Sequence, residues 1–467
     1  MSEIPPHHQI DEPQKQQVLA FILESRLSDF PEQLINDARY AILDLLAVAA
    51  VGKTTKTAAI ICDYAASALS ASSGSPSAPI LCDGRSVSPA GAALAGGMMI
   101  DSIDAHDGYK PVKGHIGCAL LPSICAGLMA RDGRLDDTSL LEAMIIGYEI
   151  GGRCGEALHA TVPDYHTSGA WMAVAVAAVE ARISGLSADQ SWEAMGIAEY
   201  HGPRSQMMRV IDYASMLKDG SGWGAFAGMS AAALAKSGFT GAPAITVGAR
   251  AVSSFWSDLG TRWIGSEQYF KPWPVCRWAQ PAMQATADIL NTDNVPVSDI
   301  ASVRIDTFHQ ALRLASPHPA SPDEAQYSIC WPVAAQLIAA GEGRGFSAYD
   351  VSDEALGRDD IHQLSDRITL IENDKMNDVF PQLRQARVTI TLTDGRQLSS
   401  YAEHTYGDPE TPVSQQDRVK KFDLFLAGSP QAAHAEKLKD WCLSLGHRRQ
   451  HPDATIPVET CLFPGRG

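Results

Sequence analysis

Residues 89–130 read PAGAALAGGMMI (89–100), DSIDAHDGYKPVKGHIG (101–117) and CALLPSICAGLMA (118–130). The outer two blocks are apolar helices. Between them, Asp101, Asp104, Asp107, His106, His115, Lys110 and Lys113 share one loop. Helix-to-helix connections in a bundle are usually short and chemically bland. The flanking apolar helices draw this one toward the interior, where charged groups need partners or a task.

Working outward, alanine-rich helical periodicity runs from about Gln16 to Gly265. It covers Ala38–Val51, Thr57–Ala71, Ser139–Ala157, Trp171–Ser184, Ala188–Glu199 and Gly224–Ser237, with helix-ending glycines such as Gly185 and Gly238. No comparable strand alternation occurs there, and the reading is one all-helical domain. Near residue 270 the character changes. Ala301–Phe308 and Ala386–Thr393 alternate as strands, and the second runs into Asp394-Gly395, a strong hairpin signal, and out through RQLSSYAE. Tyr327–Ala340 and the 360s read as helices. The expected fold is therefore mainly α: a large helical domain at 1–266, completed by a helical tail at 406–467, and a smaller α+β lid domain at 267–405. Residues 1–15 read as disordered or as a strap.

A chain of 467 residues with 45% hydrophobic and 19% charged content can bury a large core without metal or disulfide staples. The net charge of −17 speaks against a nucleic-acid partner, which would want a basic face. Nine dispersed cysteines without a CxxC pair read as buried thiols in a reducing compartment. The polar N-terminus lacks a signal-peptide stretch, and no window reaches the ~18 apolar residues of a membrane span. The expectation is a cytoplasmic chain with no membrane partner.

Several motifs fail. Gly52-Lys53-Thr54 has Ala47 where a phosphate loop needs glycine. GxSxG, HExxH and GxGxxG do not occur, and Gly341, Gly343 and Gly345 have the wrong spacing for a dinucleotide site. What remains is a set of polar islands. Asp and His in the 101–115 loop suit several divalent ions. They equally suit a general acid–base histidine oriented by an aspartate, and Lys110 and Lys113 in the same loop favour an anion over a cation. Further islands are Arg204–Arg209 with Lys218-Asp-Gly-Ser-Gly222, His166 in Asp164–Gly169, and Tyr269-Phe-Lys271-Pro-Trp-Pro-Val-Cys-Arg277-Trp278. Glycines ahead of the helix at 224–237 offer backbone N–H groups that suit a carboxylate.

In this order the islands resemble the MmgE/PrpD superfamily of 2-methylcitrate dehydratase, cis-aconitate decarboxylase and iminodisuccinate epimerase. Gly147-Tyr-Glu-Ile150 and Glu324-Ala-Gln-Tyr327-Ser328 add to the match. The resemblance implies a homodimer and a site between the domains that needs no cofactor, metal or iron–sulfur cluster. It matches Asp104, His115, Lys218 and Lys271 to the family's site. His106 stands where the family has an acid, Gly108 where it has threonine, and Ile116 where it has proline. Cys276 and Gln280 replace histidines of the decarboxylase. On this resemblance His115 moves the α-proton of a small anionic substrate and Asp104 sets its orientation and tautomer. Lys218 and Lys271 hold carboxylates with Arg277 and Arg209, and His166, Tyr327, Lys113 and His106 complete the substrate contacts. The implied reaction is dehydration or decarboxylation of a di- or tricarboxylic acid. Epimerisation, a non-catalytic anion-binding homologue and a metal-dependent hydrolase built on Asp101, Asp104, His106 and His115 are the alternatives.

Because Lys110 and Lys113 share the loop with its acids, activity is expected to survive exhaustive chelation. Turnover lost to EDTA and restored by a divalent ion would move the assignment to the hydrolase.

Overall fold

A computed structural model describes residues 5–293, 295–447 and 458–465. After a short strap, α1 (Glu12–Glu24), α2 (Glu32–Gly52), α3 (Lys56–Ala68), α4 (Pro89–Asp101) and α5 (Gly117–Asp132) lead to α6 (Asp137–Thr161), α7 (Gly169–Ile183) and α8 (Ala188–His201), then the five-residue α9 (Met208–Asp212) and α10 (Ser221–Lys236). The helices start where the sequence supplies caps. Ser88 accepts from the Gly91 N–H, Asp136 from Ser139 and Ser187 from Gln190, the last within a reciprocal capping box. The apolar faces of these helices form one core. Phe422, Phe425, Leu438 and Trp441 of the C-terminal tail join it.

The strap is ordered from Pro5: Ile10 bridges Ala249, and the Asp11 N–H donates to the Gly248 carbonyl at 2.8 Å. Residues 1–4 lie outside the described residues. One departure from an all-helical reading is a two-residue antiparallel pair, β1 (Ala78–Pro79) with β2 (Ser86–Val87). It is too short for alternation to register. Among the described residues no single helix is long and apolar enough to cross a membrane. The pair α2–α3 has the length and composition only jointly, and bends by 90°.

The second core gathers around a four-stranded mixed sheet of order β4-β3-β5-β6. Strand β3 (Ile300–Thr307) runs parallel to β4 (Ile368–Glu372), with Ile305 facing Leu370, and antiparallel to β5 (Ala386–Leu392), with Ile305 facing Val388. Strands β5 and β6 (Gln397–Ala402) form the hairpin, closed by Gly395 at φ 89°. The 360s carry the expected helix at Asp359–Ser365, but the chain then enters β4. A five-residue run gives too little periodicity to separate strand from helix. Met207, Val210 and Ile211, from the α9 region, belong to this second core and not to the first.

Where α4 meets α10, backbones approach glycine to glycine. A Cβ on Gly97 would lie 2.7 Å from the Gly222 Cα, and one on Gly222 would lie 2.6 Å from the Leu94 carbonyl oxygen. Backbone atoms cannot give way as a side-chain tip can. Gly222→Ala should therefore cost about 1–3 kcal/mol, as overpacking does. Gly345→Ala, into open space, should stay within about 0.5 kcal/mol. Urea unfolding midpoints of the two variants check this.

Candidate active site

The 101–116 loop is almost wholly buried, including all three of its aspartates and both histidines. Its shape follows from three local facts. Asp107 caps α5, accepting from the Gly117 N–H at 3.0 Å. The Tyr109 N–H donates to the Gly114 carbonyl at 2.8 Å, with Lys113 left-handed at φ 51° between them. Gly108 and Tyr269 exchange both backbone hydrogen bonds, at 3.0 and 2.8 Å. The next residue, Phe270, donates its N–H to the Gly407 carbonyl at 2.9 Å. Lys271 thus leaves a segment held on both edges and stiffened by Pro272 and Pro274.

This places Lys271 on the Asp104 carboxylate in a contact sealed from solvent. Burial works against both charges. Each partner nevertheless overrules it, holding Asp104 well below the ordinary carboxylate range and Lys271 above that of an amine. The Gln326 side-chain oxygen accepts from the Asp104 N–H at 2.7 Å and from Lys218 Nζ at 3.1 Å. Asp323 pairs Lys218 at 2.8 Å.

His115 is fixed by backbone. Its Nδ1 lies 2.6 Å from the Asp107 carbonyl oxygen, and its N–H donates to Ser168 Oγ at 2.8 Å. A carbonyl can only accept, so Nδ1 carries the proton and Nε2 is left as a base. Asp104 lies on that other side, 3.9 Å from Nε2. The tautomer is therefore set by the Asp107 carbonyl and not, as expected from the sequence, by Asp104. Burial, then the Lys271 charge, pushes the imidazole down to about 3.

Asp104, Lys113, His115, Arg277 and Tyr327 line one inner chamber of about 40 Å³, with Asp219, Tyr269, Cys276 and Arg384. Met207, Val210 and Ile211 also border it. Val210, Ile211 and Tyr327 face in addition an outer vestibule of about 810 Å³ that reaches Lys218 and the exposed Arg209. Other expected contacts lie elsewhere. His106 is 0% exposed beneath His115, edge-to-face at 4.5 Å, with Nε2 3.4 Å from Asp101. It supports the ring and lines neither the chamber nor the vestibule. His166 turns its Nδ1 to its own Asp164 carbonyl and lines neither space. Lys110 pairs with Glu410 and Asp408. Arg277 lines the chamber, but Asp408 takes one of its terminal nitrogens through both carboxylate oxygens at 2.6 Å. Of the glycines expected to offer N–H groups here, Gly222 and Gly224 lie inside α10 and abut the α4 and α7 backbones, Asp101 faces the Ser221 N–H at 3.4 Å, and Gly220, the N-cap, lines the vestibule.

The MmgE/PrpD N-terminal domain description matches residues 16–259, and the C-terminal domain description matches residues 273–445. The chain belongs to the MmgE/PrpD family. This MmgE/PrpD chain is 21% identical over 453 residues to a cis-aconitate decarboxylase of Aspergillus terreus, covering 89% of this chain and 90% of that one. It is 24% identical over 230 residues to a cis-aconitate decarboxylase-like protein of Aspergillus oryzae, covering 47% and 46%.

Among the described residues two clusters have metal-ligand composition: Asp101, His106 and Cys118, and His404, Asp408 and Glu410. Burial pushes the Cys118 thiol far above its ordinary range, which disfavours the thiolate a metal wants. Asp408 and Glu410 are already paired with Arg277 and Lys110. Sequence reasoning missed Arg384, Asp219, Ser168 and Gln326 as site groups. The last three sit inside or beside quoted islands. Arg384, in the unremarkable loop PQLRQ, gave no signal.

The depressed His115 has a stability consequence with a definite sign. The unfolded ring titrates near ~6.5 and the folded one near 3. As pH falls below ~6.5 the unfolded chain takes a proton that the folded chain refuses, and stability is lost. Asp219, pushed up to about 7 by burial and then by Asp101, contributes the opposite slope in wild type and variant alike. His115→Gln should therefore lose stability less steeply than wild type between pH 6.5 and 4 in urea titrations. Equal slopes would mean that the ring titrates normally.

Proposed function

We propose that this chain is a cofactor-independent lyase that moves the α-proton of a small di- or tricarboxylic acid. The observation carrying this reading is the pinned His115 tautomer. A backbone carbonyl holds Nδ1–H, so Nε2 meets the chamber as an unprotonated base beside the Lys271–Asp104 pair. In dehydration Nε2 takes the α-proton and hands it to the departing hydroxyl, which leaves as water. In decarboxylation carbon dioxide leaves and Nε2 delivers a proton drawn from solvent to the carbanion. Lys271 and Lys218 are fixed cations that stabilise the enolate-like charge. The Asp104 and Asp323 contacts hold them in place before substrate arrives. A chamber of about 40 Å³ is smaller than such an acid. Val210 and Ile211 of α9 border both this chamber and the vestibule, and a shift of these two side chains would widen the way in.

Asp219 supports epimerisation as the second reading. Its carboxyl, near 7 and in the same chamber, can carry a proton at neutral pH and so serve the other face of a planar intermediate.

Incubation with citrate-like, aconitate-like and aspartate-derived acids in heavy water, followed by NMR, tests both. Loss of water, or loss of carbon dioxide with deuterium entering the product, supports the lyase, and deuterium entering without net loss supports the epimerase. Neither conversion nor label in any acid sinks both. His115→Ala should lower turnover by about 10²–10⁴-fold with substrate affinity nearly unchanged. Lys271→Ala should weaken binding and turnover together, and Lys271→Arg should rescue little, since a planar fork does not replace a point charge.

A further inference from the structure

Most charges around the chamber are matched in pairs: Lys271 with Asp104, Arg277 with Asp408, Lys110 with Glu410 and Lys218 with Asp323. Arg384 is one exception. It is 3% exposed, its Nε and Nη1 have no hydrogen-bond partner, and among the described residues no ion pair includes it. Burial, then repulsion from Arg277, pushes it down to about 10. Its neighbours cannot supply the missing negative charge. Asp408 already serves Arg277 through both oxygens and lies 3.4 Å from Lys110. Tyr269 and Cys276 are both pushed up to about 12 and stay neutral. A further cation on the chamber is Lys113, which stands 3.3 Å over the Tyr165 ring and is lowered to about 8 by burial and then by Arg384. Two cations thus face one chamber with no acid assigned to either. A buried guanidinium left unpartnered is strongly unfavourable unless a ligand completes it, and a planar fork suits a carboxylate.

We propose that Arg384 and Lys113 form a clamp for a second carboxylate of the substrate, remote from the one held near Lys271, and that this clamp selects polycarboxylates over monocarboxylates. The clamp rests on the reading of the chamber as a carboxylate site, but its test does not require turnover. Binding of three unreactive probes, propane-1,2,3-tricarboxylate, glutarate and butyrate, is measured by calorimetry on the full chain. Wild type should prefer the first two over butyrate. Arg384→Met should weaken the two polycarboxylates by about ten- to a hundredfold and leave butyrate unchanged, so that the preference collapses. Arg384→Lys should restore part of it, and Lys113→Met should reproduce the collapse more weakly. Circular dichroism confirms that the variants fold. An unchanged preference in Arg384→Met, or no binding of any probe to wild type at millimolar concentration, overturns the clamp. If wild type neither converts nor labels any acid in heavy water while the preference still collapses in Arg384→Met, the lyase reading falls and the clamp stands. Normal exchange with an unchanged preference has the opposite meaning.

Discussion

The contact between Lys271 and Asp104 is the constraint around which the site is organised. Neither charge reaches solvent, and removing one partner of such a pair strands the other at a cost of about 3–5 kcal/mol. The 101–116 loop and the 269–274 segment must therefore meet whenever the chain is folded. The Gly108–Tyr269 backbone pairing and the Phe270–Gly407 bond align the two segments, while Gln326 ties the Asp104 backbone to Lys218. Through Gln326 the second core also reaches the loop, so the site belongs to both cores at once.

The overall charge of −17 makes the handling of acids near the chamber informative. An anion approaching this protein meets an unfavourable mean field, and binding depends on local charge. The chamber manages this by sorting. Asp104 and Asp408 are each matched to a cation, while Asp219 is raised toward neutrality by burial and by Asp101. What is left over is positive. A low-dielectric wall then makes those few cations count for more than their number suggests.

Most of the fold was legible from periodicity and caps. The long helices appear where apolar spacing places them, and the β5–β6 hairpin lies where Asp394-Gly395 signals it. What escaped was short or non-local. β1, β2 and β4 are two to five residues long, and α9 packs with a core whose other members lie mostly beyond residue 275. The site shows the same division. Asp104, His115 and Lys271 stand out because polar residues crowd into apolar surroundings. The proton on His115 is placed by a main-chain carbonyl, which no side-chain pattern reports. His106 reads as a substrate contact because it stands where the resemblance has an acid, and sequence does not report which of two nearby histidines lies underneath. Arg384 comes from an ordinary loop before a strand and becomes distinctive only when every neighbouring acid proves to be taken.

Gly108 carries a historical implication. A Cβ there would sit 2.2 Å from the Tyr269 ring, in a position where the resemblance has threonine. A lineage could not drift between the two residues one neutral step at a time while this tyrosine stayed in place. Either the ring at 269 shrank or turned first, or both positions changed together. Residues 108 and 269 should therefore be inherited as a linked pair, and that pairing would mark the branch to which a relative belongs.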